Sequence, residues 1–165
     1  MKKANLEDAE KEWELIRQMP ENENGLENKY YGVSYEDFVE KVLPRWFDYE
    51  KGKNMDEGHV PDTHYFLWDD GKIVGFCNLR HCLNDALREG AGHIGYGIAK
   101  EHRGKGYATE ALRLLVDEAR KLPIDTDEVY MSVEKGNPAS LRVMEKNGAR
   151  VVREDDDHYY TRIKL

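Results

Sequence analysis

The residues best able to do chemistry lie in the run Arg103-Gly104-Lys105-Gly106-Tyr107-Ala108. Two glycines one residue apart, between a strand-like and a helix-like stretch, leave backbone N–H groups pointing out along the helix axis, and an anion is their natural ligand. A side chain at Gly104 or Gly106 would hold a pyrophosphate off those amides, while Arg103 and Lys105 add positive charge at the rim. One helix end supplies only about 0.3–1 kcal/mol per charge, so useful affinity needs several converging amides. Taken alone, the glycines are also compatible with a plain strand-to-helix loop. A Walker-type loop is excluded, because no Gly-Lys-Ser or Gly-Lys-Thr closes the pattern. A dinucleotide turn wants a third small residue where Thr109 stands and an acidic residue further on. Glu134 keeps that reading open, but the hairpin upstream is wrong for a doubly wound sheet.

The elements that must position this turn are legible on both sides of it. Upstream, Thr63 to Trp68 and Lys72 to Leu79 are rich in aromatic and β-branched residues, and Asp69-Asp70-Gly71 supplies a tight turn, which predicts a β-hairpin. A loop from Asn84 to Ala91 precedes a short, glycine-containing strand from His93 to Ala99. Downstream, Ala108, Ala111, Leu112, Leu115, Ala119 and Leu122 share one helical face that Pro123 ends. A strand follows at Val129 to Val133, and strand, helix, strand in that order implies a right-handed crossover between parallel neighbours. Asn137 with Pro138 then opens a helix that Asn147-Gly148 closes. Val151 to Arg153 and Tyr159 to Leu165 complete an antiparallel pair around the acidic turn Glu154 to Asp157.

Ahead of the hairpin the pattern is helical. Asn5 is placed to cap a helix carrying Ala9, Trp13, Ile16 and Met19 on one face, stopped by Pro20. Ser34 with Asp37 resembles a capping box for a second helix, whose stripe Tyr35, Phe38, Val39, Val42 and Leu43 ends at Pro44. The stretch from Asn22 to Tyr31 between them reads as a mobile loop. No strand is evident in Met1 to Ala4.

Composition narrows the function classes. A chain of 165 residues with 39% apolar residues reads as one domain, spanning 1–165. A formal net charge of −8 argues against general nucleic-acid binding, which needs clustered Lys and Arg. Cys77 and Cys82 make neither a disulfide framework nor a metal-ligand pattern, and His59, His64, His81, His102 and His158 have no metal-ligand spacing. No metal is expected. No run approaches the roughly eighteen apolar residues of a membrane span, so the expectation is a soluble, cytoplasmic protein.

Two motifs together are more specific than either alone. Arg103-Gly104-Lys105-Gly106-Tyr107-Ala108-Thr109-Glu110 matches the R-x-x-G-x-A signature of the GCN5-related N-acetyltransferases, the GNAT family, and Asn137 to Gly148 resembles the helix that follows it there. The form Asn-x-x-Ser-x-x-x-x-Glu-Lys-x-Gly is nearer to the branch typified by ribosomal-protein acetyltransferases than to the tyrosine-bearing branch. The resemblance covers about Thr63 to Leu165. It implies an α/β (α+β) fold with a mixed, largely antiparallel central sheet, a β-α-β crossover at the cofactor turn and helices on both faces. Residues 63–165 would form the acetyl-CoA-binding core and residues 1–62 a helical acceptor-side region. The implied activity is transfer of acetyl from acetyl-CoA to a primary amine of a small molecule or protein N-terminus. A non-catalytic acyl-CoA-binding or sensing module of the same fold is the alternative, and a homodimer is left open.

By that resemblance the cofactor contacts are Ile98, whose backbone N–H or a neighbour's faces the thioester carbonyl, the turn from Arg103 through Lys105, Tyr107 and Ala108 to Thr109, and Asn137 and Ser140. The catalytic candidates are His93, on the strand where relatives often carry Glu, then Glu134 as a second base and Ser140 as a donor to the leaving sulfur. Met144 stands where many relatives carry a tyrosine acid, and a thioether donates no proton.

Overall fold

The computed structural model describes residues 1–122, 124 and 126–165. Pro123, the expected helix stop, lies outside the described residues. In chain order the elements are β1 (Lys2–Lys3), α1 (Ala9–Gln18), β2 (Asn22–Glu23), β3 (Leu26–Glu27), α2 (Tyr35–Asp37), a π-helical turn (Phe38–Val42), α3 (Leu43–Glu50), β4 (Asp62–Asp69), β5 (Lys72–Arg80), α4 (Asp85–Glu89), β6 (Ile94–Ile98), a 3-10 turn (Lys100–His102), α5 (Tyr107–Ala119), β7 (Glu128–Glu134), α6 (Pro138–Lys146), β8 (Arg150–Glu154) and β9 (His158–Lys164). Among the described residues, β1-β4-β5-β6 form one antiparallel sheet, β7-β9-β8 a second, and β2-β3 a small hairpin.

The β4–β5 hairpin forms as expected, with Asp70 and Gly71 both at positive φ in its two-residue turn. Its two faces carry different sets of side chains. Tyr65, Leu67, Val74, Cys77 and Leu79 face α5, where Ala111, Leu112, Leu115, Val116 and Ala119 are buried in one cluster with residues of β6, β7 and β9. Phe66 faces the other way, into a cluster with Ala9 and Ile16 of α1 and Phe38, Val42, Leu43 and Trp46 of the second helical region. Burying one leucine contributes about 1.5–3 kcal/mol, so Leu112 and Leu115 alone make α5 a strong anchor for the turn before it.

Several local expectations need correction. Lys2 and Lys3 pair with Phe66 and Tyr65, so a short first strand exists despite its two exposed lysines. Helix α1 starts at Ala9, and Asn5 instead folds its side chain onto the Asp8 N–H at 2.9 Å, ahead of the helix. Ser34 does cap its helix, accepting from the Asp37 N–H. Pro44 does not end it: the backbone widens into the π turn, with the Leu43 N–H bonded to the Phe38 carbonyl five residues back. Pro44 then stands in the first turn of α3, where its missing N–H costs nothing. The expected mobile loop contains the β2–β3 hairpin, turned at Asn24 and Gly25, and the expected loop at Asn84 to Ala91 holds α4, capped by Asn84.

The largest correction lies in the middle of the fold. β6 and β7 are not laddered as parallel neighbours. Gly92, just ahead of β6, bridges Met131 of β7, and the two strands then share no ladder, leaving a splay between the two larger sheets. β9 enters between β7 and β8, pairing with both.

Candidate active site

The glycine turn follows in sequence on β6, the strand that borders the splay. After β6 the chain passes through the 3-10 turn, Arg103 is extended, and Gly104 and Gly106 adopt φ of 76° and 86°. A Cβ on either glycine would meet nothing within 4 Å. The left-handed backbone, not crowding, therefore demands glycine here, and the approach to the amides is open. The first helical bond of α5 runs from the Glu110 N–H to the Gly106 carbonyl, and Gly106 offers no side-chain cap. The N–H groups of Tyr107, Ala108 and Thr109 precede that bond and face along the helix axis, the arrangement that takes an anion.

The side chains around the turn fix its shape. Tyr107 donates its O–H to Asp69 at 2.5 Å, tying α5 to the β4–β5 turn. Ala108 packs against the α5-side core, and the Thr109 carbonyl accepts from Asn147 at 3.1 Å, joining α5 to α6. Lys105 reaches the Glu101 carbonyl at 3.3 Å. Arg103 bonds the Ile98 carbonyl through Nε at 2.9 Å and grips both carboxylate oxygens of Glu23 with its two terminal nitrogens. That pair holds the Glu23 carboxyl below its ordinary range and raises the Arg103 guanidinium.

Strand alternation orients the amide next to the splay. The Ala99 N–H bonds the Val74 carbonyl on β5, so the Ile98 N–H points the opposite way, toward β7. Ile98 itself is buried. Across the splay, the Asn137 Oδ1 accepts from the Ser140 N–H at 3.1 Å as a helix cap, and its Nδ2 donates to the Asn24 carbonyl at 3.3 Å. The two ends of that amide thus serve different partners. Ser140 Oγ lies 2.7 Å from the Tyr96 hydroxyl of β6, and burial pushes the Tyr96 phenol up to about 12.

The three catalytic candidates are not brought together. Ser140 faces the splay with Tyr96. Glu134 is exposed at the end of β7, where a Cβ on Gly25 would lie 3.1 Å from its Oε1. His93 is fully buried at the closed end of the splay. Its N–H donates to the Tyr130 carbonyl at 2.7 Å, and its Nδ1 accepts from the Tyr130 N–H at 2.9 Å. The ring thus replaces a backbone carbonyl in joining the sheets. Met144 points into the core, where the Thr161 hydroxyl donates to its sulfur at 3.4 Å.

Reading the sequence missed three residues here. Tyr96 was hidden between Gly95 and Gly97, although a lone tyrosine between two strand glycines signals a ring with room beside it. Leu26 and Glu23, on the hairpin, sit over β6 and on Arg103, and no local pattern could have placed them on partners so distant in sequence.

Comparison with known proteins agrees with this geometry. Residues 29–150 match the family model described as the acetyltransferase (GNAT) domain. The chain is 33% identical to the probable N-acetyltransferase YjcK of Bacillus subtilis over 112 residues, 67% of this chain and 58% of that protein. It is 31% identical to the putative ribosomal N-acetyltransferase YdaF of the same organism over 116 residues, 70% of this chain and 57% of that protein. The chain thus spans under two thirds of the length of these curated relatives. The spermidine N-acetyltransferase of Vibrio cholerae, solved with CoA and spermine, shares the fold at a TM-score of 0.63 and 16% identity, covering 99% of this chain and 93% of that one. With the family model matching most of its length and the turn, splay and following helix in the matching order, the chain belongs to the GNAT acetyltransferase family.

Proposed function

We propose that this chain is an acetyl-CoA-dependent N-acetyltransferase acting on a primary amine of a small molecule or a protein N-terminus. The observation that carries the reading is the open, left-handed Gly104–Gly106 turn at the start of α5, set beside a splay into which the Ile98 amide points. A pyrophosphate on the amides of Tyr107 to Thr109 would direct the pantetheine arm into the splay, past Asn137. The spermidine N-acetyltransferase solved with CoA lends support.

The chemistry can then be assigned. The amine nitrogen attacks the thioester carbonyl carbon, the Ile98 N–H polarises the carbonyl oxygen, the carbon–sulfur bond breaks, and the amine proton leaves for a base. A lysine-like amine is neutral only about once in 2,500 molecules at pH 7, an offset of about 4.6 kcal/mol that the base must help recover. Glu134 at the rim, directly or through water, is the proposed base, because the His93 ring is enclosed and spends Nδ1 on Tyr130. Tyr96 with Ser140 is the proposed O–H donor to the departing thiolate, in place of the tyrosine that Met144 displaces. A phenol raised to about 12 stays protonated and able to donate at neutral pH. That donor favours an enzyme over a sensing module. Net charge of −8 favours neutral or cationic acceptors.

The test is CoA release from acetyl-CoA with a panel of a polyamine, an amino sugar and a peptide N-terminus, in wild type and Tyr96→Phe. We expect turnover in wild type and a loss of about 10²-fold in kcat with CoA affinity unchanged in the variant. Coenzyme binding without turnover on any amine would favour the sensing module, and full activity in Tyr96→Phe would remove the tyrosine from the reaction.

A further inference from the structure

The β2–β3 hairpin contributes nothing to either core cluster, yet it is fastened to the site at four points. Arg103 grips Glu23, Asn137 donates to the Asn24 carbonyl, Gly25 stands against Glu134, and the Leu26 methyls lie over Gly95 and Gly97 of β6. Arg103, Asn137 and Glu134 belong to the proposed acyl-transfer site, and Gly95 and Gly97 flank its Tyr96. Leu26 in particular covers the β6 face just before Ile98. Beside it, over Gly95, lies the Asn78 amide, which donates to Asp62 at 3.3 Å. Among the described residues, the buried Asp62 Oδ1 has no hydrogen-bond partner. The Asn78 amide and Leu26 thus share the space over Gly95.

The root and the tip of the hairpin are held differently. At the root, buried Asn28 donates to the carbonyls of Ile16 and Met19 at 2.7 and 2.8 Å and accepts from the Tyr30 N–H, which fixes it to the end of α1. The tip is held by the 3.3 Å bond from Asn137 to the Asn24 carbonyl and by the ion pair, whose two side chains are about a third exposed. An exposed pair of this kind is weak and readily exchanged.

We propose that the β2–β3 hairpin is a lid over the acceptor's approach to Gly95 and Gly97, latched by Glu23 on Arg103 and released when the coenzyme's pyrophosphate takes Arg103. The inference rests on the acetyl-CoA reading above. Arg103 Nε stays on the Ile98 carbonyl, so the guanidinium plane is fixed and its two terminal nitrogens are the exchangeable part. A pyrophosphate brings more negative charge than one carboxylate and a fork of oxygens that fits the same two nitrogens. It would also repel the Glu23 carboxylate from the turn. Coenzyme binding would thereby uncover the β6 face at Gly95 and Gly97.

Hydrogen–deuterium exchange on the full chain tests this, following segments 22–27 and 103–109 in wild type and Glu23→Gln, with and without CoA. We expect CoA to slow exchange at 103–109 while speeding it at 22–27, a rise where a ligand ordinarily protects. Glu23→Gln should exchange faster at 22–27 without any ligand and bind CoA about two- to fivefold more tightly, the worth of one exposed ion pair. Slowed exchange at 103–109 with 22–27 unchanged or slowed would overturn the lid while leaving the coenzyme site standing. No change at either segment would overturn the coenzyme reading and, with it, the release. A Glu23→Gln protein indistinguishable from wild type at 22–27 would overturn the latch in either case.

Discussion

The two faces of the β4–β5–β6 sheet are built on different principles. On the α5 side the contacts are local in pattern: one helix with a continuous apolar stripe lies on strands that precede it directly, and a capped second helix follows. On the α1–α3 side, aromatic rings and buried polar groups from distant segments interlock. Trp46 stacks on His64 at 4.2 Å, Trp13 donates to the Val33 carbonyl at 2.8 Å, and Glu12 is enclosed against the Asn5 backbone. In the proposed function the first face holds the coenzyme turn, which needs rigid amides, and the second borders the proposed approach of the amine, so that the acceptor side could vary without touching the turn.

The largest expected effect sharpens this contrast at the seam between the sheets. His93→Ala leaves the half-buried Tyr130 N–H without its acceptor and opens a cavity where the fully buried ring stood, which should lower stability by about 2–4 kcal/mol by denaturant unfolding. Activity per folded molecule should persist. A loss of kcat with unchanged stability would instead return His93 to the proton path.

Legibility in the sequence divides along the same line. The β4–β5 hairpin, α5, and the Asn137 and Gly148 caps of α6 were readable because period, turn residues and caps act over a few positions. The turn at Gly104 and Gly106 and the helix start at Asn137 could therefore be read from spacing, whereas the roles of Arg103, Asn137 and Ser140 toward a coenzyme belong to the proposed function. The splay could not, because it depends on where β9 enters and on a histidine ring replacing a carbonyl. Pro44 misled because a π turn absorbed it, a choice set by Phe38, Leu43 and Trp46 packing on one face. The Tyr96–Ser140 and Glu23–Arg103 contacts join residues 44 and 80 positions apart, beyond any periodic signal.

A smaller effect probes the α1 side. Burial pushes the Glu12 carboxyl up to about 8, against the pull of its Asn5 backbone bond. Its folded value lies above the ordinary 4.5, so between these values the folded state binds more protons than the unfolded one. Stability should fall as pH rises from about 4.5 to 8. Glu12→Gln should remove that slope, gaining on the order of 1–2 kcal/mol at pH 8 and nothing at pH 4. Thermal unfolding of both proteins across this range is the check, and parallel curves would show that Glu12 is charged in the fold.

The most direct measurement of the central claim is ligand-dependent thermal unfolding of wild type and Gly106→Val with CoA and with NAD. CoA at a hundredfold excess over its dissociation constant should stabilise wild type by about 2.7 kcal/mol, with no comparable effect from NAD. Gly106→Val should lose the CoA shift while keeping its far-ultraviolet circular dichroism, because φ of 86° and the open approach both belong to the turn and not to the core. Stabilisation by NAD alone, or an undiminished CoA shift in Gly106→Val, would contradict the assignment of this turn to the coenzyme.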